Sequence, residues 1–149
     1  MLSYPPGSTT IGLLQSEKFS KVKGVTNTEV GYCGGTTDKT TYEEVCTGKT
    51  NHAEVVNVEF DEKTISYSDM VKIFFEMHDA TTLNKQGLDI GTQYRSEIFY
   101  IDEEQKKIAE KIKSNLNEKY NGKIVTNISK QHNYCKAEEY HQKYFQKNF

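Results

Sequence analysis

The sequence predicts an α/β fold (α+β-like) in a single domain, with strands and helices interleaved along the chain. Three observations carry this reading. An alternating run, His52–Phe60, precedes an apolar helical pattern that ends at Met77. A β-branched and aromatic run, Tyr94–Ile101, precedes a capped and charged helical pattern reaching about Tyr120. A further β-branched run, Lys123–Ile128, precedes a last helical pattern over Lys136–Lys147. The 149 residues suit one domain, and no repeat or linker divides residues 1–149.

Taken in order, the opening decad holds Pro5, Pro6 and Gly7 among serine and threonine, so residues 1–11 read as an atypical, loosely attached lead-in. Leu13–Lys23 has a weak helical pattern (Leu14, Phe19, Val22) stopped by Gly24. Val25–Tyr32 is β-branched and ends at the Gly34–Gly35 break, which predicts a strand. In the clearest strand, one face carries His52, Glu54, Val56, Val58 and Phe60, the other Ala53, Val55, Asn57 and Glu59. Ser66 or Ser68 caps the next helix, whose Met70, Val71, Ile73, Phe74, Phe75 and Met77 predict deep burial. Thr81–Gly91 has the composition of a long loop. Asp102 caps the charged helix, whose stripe is Ile108, Ile112 and Leu116, and Gly122 ends it.

Composition narrows the function classes. Nineteen basic against 21 acidic residues give a net charge of −2, and no basic run stands out, which argues against a nucleic-acid partner. Only 35% of residues are apolar, but ten tyrosines and seven phenylalanines supply buried area. The apolar runs are too short to span a membrane, no export signal opens the chain, and three unpatterned cysteines fit a reducing, cytoplasmic setting. His52, His78, His132 and His141 lack metal-ligand spacing, and the glycines do not form a phosphate cradle, so neither a metal nor another cofactor is expected.

Two places have the residue types for chemistry. Glu54 shares a strand face with Val56, Val58 and Phe60. A carboxyl there loses hydration and holds its proton, as a general acid requires. Alternatively it sits at the strand's first turn and reaches water. The segment LNKQGLDIGTQYRS (Leu83–Ser96) is a glycine-punctuated loop entering a strand, with Asp89 and Tyr94 as an acceptor and a donor. Asp89 as a turn cap and Tyr94 as core remain open. Cys33, Cys46 and Cys135 read as small apolar fillers. Only Cys135, followed by Lys136 near a helix start, has any thiolate character in its surroundings.

The blocks VGYCGG, TTYEEVCTGKTNHAEVV, HDATTLNKQGLDIGTQYRS and AEEYHQ, in this order and with these gaps, resemble the type A peptide methionine sulfoxide reductases from about Phe19 to Asn148. Ala80, Asn51 and Cys33 stand where that family usually has proline, glycine and a small residue. The resemblance implies an α/β fold with a mixed central sheet and helices packed around it, and reduction of methionine S-sulfoxide, free or in proteins, in oxidative-damage repair. A cysteine thiolate attacks the sulfoxide sulfur, the oxygen is protonated, methionine leaves, and thioredoxin or another thiol reduces the resulting sulfenic acid. It further implies that Glu54 is the buried acid, that Tyr42 and Tyr94 hydrogen-bond the sulfoxide oxygen, and that Asp89 lines the polar side of the pocket.

The family's GCFWG nucleophile motif is missing. Counting back without gaps from Phe19 and Gly24 puts Ile11 at the cysteine's place, and matching Gly12 to the motif's last glycine puts Thr9 there. The Phe-Trp wall of the methyl pocket is absent, and so are a strand-like apolar run before the motif and a cysteine-bearing tail. The expectations are therefore a missing or replaced N-terminal central strand, marginal stability and no turnover. The weak substitute for the nucleophile is Cys135, and the alternative is a non-catalytic homologue that binds methionine sulfoxide weakly. The abrupt change between about Ile11 and Phe19, beside intact later blocks, reads as an incorrect or alternatively spliced start.

Overall fold

The computed structural model describes residues 8–12, 19–37, 39–78, 80–86 and 89–137. Within them, strands β1 (Ser8–Gly12), β2 (Val25–Cys33), β3 (Ala53–Phe60), β6 (Glu97–Tyr100), β7 (Asn127–Lys130) and β8 (Cys135–Lys136) form one sheet in the order β7-β6-β1-β3-β2-β8. Only β6 and β7 run parallel. The other neighbours are antiparallel, so the sheet is mixed. The parallel pair is joined through helix α3 (Glu103–Lys119), because parallel strands need a long crossover. A separate two-stranded hairpin pairs β4 (Lys85–Gln86) with β5 (Asp89–Ile90).

Helix α2 (Tyr67–Met77) starts where the Ser66 hydroxyl accepts from the Asp69 amide at 3.0 Å. Helix α3 starts where the Asp102 carboxylate accepts from the Gln105 amide at 2.8 Å. Both lie on one face of the sheet. Their Met70, Val71, Phe74, Ala109 and Ile112 close over Ile11, Val56, Val58 and Ile98, the main core. Ile108 and Leu116 of the expected stripe are only partly buried, since Ala109 and Gln105 turn inward with Ile112. Short helix α1 (Tyr42–Cys46) covers the far end of the same face, packing Val45 with Val30, Tyr32 and Ala137. On the other face Cys33, Ala53, Val55 and Phe99 cluster with Tyr134.

The structure corrects several readings. The central strand is neither missing nor a loose lead-in, for Ser8–Gly12 runs between β3 and β6 with every residue buried. Pro5 and Pro6 lie outside the described residues. The Tyr94–Ile101 strand shrinks to Glu97–Tyr100 behind a 3-10 turn at Thr92–Tyr94, and the Lys123–Ile128 strand shifts to Asn127–Lys130, where it pairs with β6. The Thr81–Gly91 loop contains the β4–β5 hairpin. Of the Leu13–Lys23 helix, Phe19 and Ser20 are helical and turns follow, while residues 13–18 lie outside the described set. Lys136 ends a strand, and the rest of the expected final helix, residues 138–149, also lies outside it.

Candidate active site

The alternation of β3 decides the position of Glu54. Tyr32 is its partner across the β2 ladder, and Ile11 stands opposite Val56, one step along the same face. Glu54 is 3% exposed, so its carboxyl does not reach water from a strand end. Tyr32, fully buried, is a site neighbour that the sequence did not reveal. Its spacing from Val30 in β2 was visible, but not which strand would lie alongside.

Tyr42 is the first residue of α1, behind Thr41, whose hydroxyl accepts from the Glu44 amide at 3.2 Å. Asp89 opens β5, opposite Gln86. The side chains of Tyr42 and Asp89 lie outside the described set. Half-buried Tyr94 closes the 3-10 turn with its amide donating to Gly91 O at 3.0 Å, and this turn packs against β3 and β4. Beyond it the Arg95 guanidinium pairs with Glu97, whose other oxygen accepts from the Ser129 hydroxyl at 3.0 Å. This buried ion pair fixes the chain as it leaves the turn.

The sulfur atoms divide by face. Cys33 points to the side opposite Glu54, donates to His132 O at 3.2 Å, and is pushed up to about 12 by burial. It is a filler. Cys46 is exposed at the end of α1. Cys135, half-buried, faces the same side as Glu54, because it pairs with Tyr32 and Tyr32 pairs with Glu54. Two ladder steps put their α-carbons about 10 Å apart. Ile11 and Thr9, the two positions counted for the nucleophile, are each 1% exposed within β1 and form part of the strand's buried surface.

A mixed sheet with a buried acid on an interior strand, against which a tyrosine-bearing 3-10 turn packs, places this chain in the α/β class. Comparisons with known proteins name the family. The family profile for peptide methionine sulfoxide reductase matches residues 15–149. "Peptide methionine sulfoxide reductase MsrA" from Pelagibacter ubique is 59% identical over 130 residues, 87% of this chain and 88% of that protein. The MsrA of Methanococcus maripaludis is 49% identical over 131 residues, covering 88% and 83%. Among solved structures, reduced Mxr1 from Saccharomyces cerevisiae superposes with a TM-score of 0.85 at 34% identity, covering 98% of this chain and 89% of its own. Methionine sulfoxide reductase A of Corynebacterium diphtheriae gives 0.80 at 34%, covering 97% and 76%. The chain belongs to the MsrA family of peptide methionine sulfoxide reductases, a family of enzymes. The family profile begins at residue 15, so Thr9 and Ile11 lie outside it.

Proposed function

We propose that this chain recognises methionine S-sulfoxide, free or in proteins, through the sulfoxide oxygen, and that as written it binds this group weakly without reducing it. The observation that carries the reading is the burial of Glu54 on β3 in a chain of this family. A carboxyl taken out of water favours its neutral form, which can donate a hydrogen bond to an S=O oxygen. Tyr42 and Tyr94 add phenol donors to that oxygen, and Asp89 lines the polar side.

In the reaction the resemblance implies, a thiolate attacks the sulfoxide sulfur and forms an S–S bond, while the S–O bond breaks and the protonated oxygen leaves as water. Water then attacks the cysteine sulfur, the S–S bond breaks, methionine leaves as the thioether, and the cysteine is left as sulfenic acid with one proton released. The sulfoxide is reduced to a thioether while the thiol is oxidised. A second thiol then converts the sulfenic acid to a disulfide and releases water. Attack needs the two sulfur atoms within about 3–3.5 Å. Cys33 is on the wrong face, Cys46 lies exposed at the end of α1, and Cys135 is two strands from Glu54. Without the attacking thiol the cycle does not start, and a reductant has no sulfenic acid to reduce. Mxr1 has been solved in complex with Trx2. A thioredoxin or similar thiol donor is the corresponding partner for a thiol-bearing form of this chain. The unpaired cysteines suit a reducing compartment such as the cytoplasm.

An NMR titration with paired peptides carrying the S or R sulfoxide tests the reading. The S epimer should bind with a dissociation constant on the order of 1 mM, and Glu54→Ala should abolish this. Equal binding of both epimers, or undiminished binding by the variant, would refute an oxygen site at Glu54. Turnover that disappears only with Cys135→Ser would establish a relocated thiol instead.

A further inference from the structure

His52 lies two residues before Glu54 and is 1% exposed. Its Nδ1 accepts from the Gly35 amide at 3.1 Å, so that nitrogen carries no proton. The proton is therefore on Nε2, which donates to Thr37 O at 2.7 Å, with the Thr37 hydroxyl 3.2 Å away. The same strand end holds the loop a second way, since the Thr36 amide donates to Thr50 O at 2.9 Å. Gly35 is obligatory here. A Cβ on it would come within 2.4 Å of Thr50 O and 2.5 Å of the imidazole ring. On its far side Gly35 O accepts from the Asn133 side chain at 2.8 Å. This loop leads into Thr41 and α1, the helix that begins with Tyr42.

We propose that His52, as the neutral Nε2–H tautomer, is a positioning residue that ties the Gly34–Thr37 chain to the start of β3 and thereby sets α1 relative to Glu54. It touches no substrate and acts through the loop. Protonating Nδ1 turns an acceptor into a donor facing the Gly35 N–H, so the imidazolium loses the Gly35 half of the clamp while Nε2 keeps its bond to Thr37 O. Among the described residues, the titratable and charged groups that bear on the ring are Arg95, from the chain entering β6, and His132, from the β7–β8 connection. Cys33, at the end of β2, adjoins the loop. Burial opposes a positive charge on the ring most strongly, with Arg95 and His132 acting in the same direction, while backbone hydrogen bonds to Thr37 and Cys33 favour it; the net shift is downward.

The clamp can be tested apart from sulfoxide recognition. In an NMR titration from about pH 8 to about pH 5, the Gly35 amide and the Tyr42–Cys46 amides should shift together with the His52 ring. They should not do so in His52→Asn, whose side-chain oxygen can still accept from Gly35 but does not titrate. Helix amides that ignore His52 in the wild type, or that follow the same titration in the Asn variant, would overturn the proposal. Positioning of the site, which rests on the proposed sulfoxide recognition, has its own readout. His52→Leu should bind the S-sulfoxide peptide about tenfold more weakly, and His52→Asn within about threefold of wild type. Unchanged binding by a folded Leu variant would overturn the positioning role. If the wild type binds no sulfoxide, the function proposed above fails while the amide titration still decides the clamp.

Discussion

Replacing Thr9 by valine should stabilise this protein. Thr9 lies in the central strand β1, opposite Val58, and is 1% exposed. Its hydroxyl points into the sheet-helix core toward the Tyr67 phenol, whose ionisation it eases slightly against the burial that lifts the phenol to about 12. Even so, neither oxygen makes a hydrogen bond of ordinary geometry. A buried hydroxyl without a partner costs about 1–3 kcal/mol. Valine keeps the branched shape and the β preference and leaves no cavity, so most of that cost is recovered. For a domain of this size each kcal/mol moves the melting temperature by about 2–4 °C, so Thr9→Val should melt roughly 3–8 °C higher by calorimetry. A Thr9→Val/Tyr67→Phe cycle should be additive to within about 0.5 kcal/mol. A lower melting temperature for Thr9→Val, or strong coupling to Tyr67, would show that the hydroxyls support each other and would refute the argument. Ser8, whose buried hydroxyl is likewise unpartnered, offers an independent repeat through Ser8→Ala.

Two more outcomes follow from the geometry. Burial holds His52 below its ordinary 6.5 in the folded state, so below that pH the unfolded chain binds a proton that the folded chain refuses. Denaturant melts should therefore show stability falling as pH drops through about 6.5 towards the lowered folded value, and His52→Asn should flatten that slope. Timed alkylation of the native protein, followed by peptide mass spectrometry, should label exposed Cys46 first, half-buried Cys135 later and Cys33 last. Early labelling of Cys33 would contradict its place in the sheet core.

The expectation of marginal stability keeps its force for a different reason. The ladder is complete, yet a Ser-Thr-Thr run occupies its centre. Thr10 is satisfied, donating to the Gln131 side chain at 2.6 Å and accepting from Asn57 at 2.9 Å, whereas Ser8 and Thr9 are not. A cooperative melt above roughly 60 °C would count against this view.

Local signals were legible where they were self-contained. The period-two pattern of β3 put Glu54 on the face of Val56, Val58 and Phe60 and left only its reach to water open, and cap chemistry marked one helix start at Ser66 or Ser68 and another at Asp102. What long-range pairing decides was not legible. Ser8–Gly12 read as part of a Pro-, Gly-, Ser- and Thr-containing lead-in, and its neighbours β3 and β6 make it a central strand. Asn127–Lys130 takes its bounds from parallel register with Glu97–Tyr100 rather than from its own composition. The same holds at the site. Tyr32 is beside Glu54 through ladder register, and His52 meets Gly35 across 17 residues of chain, a spacing that no motif marks.

Whether the proposed oxygen-binding site works without an attacking thiol is decided by one mass-spectrometric experiment. The protein is incubated with an S-sulfoxide peptide and a sulfenic-acid trapping reagent, then again with a dithiol in place of the trap. The peptide should be recovered unreduced in both and no cysteine should carry the trap, in a preparation shown by NMR to bind the S epimer. Methionine peptide formed in step with trapped sulfenic acid on Cys135, Cys46 or Cys33 would contradict this.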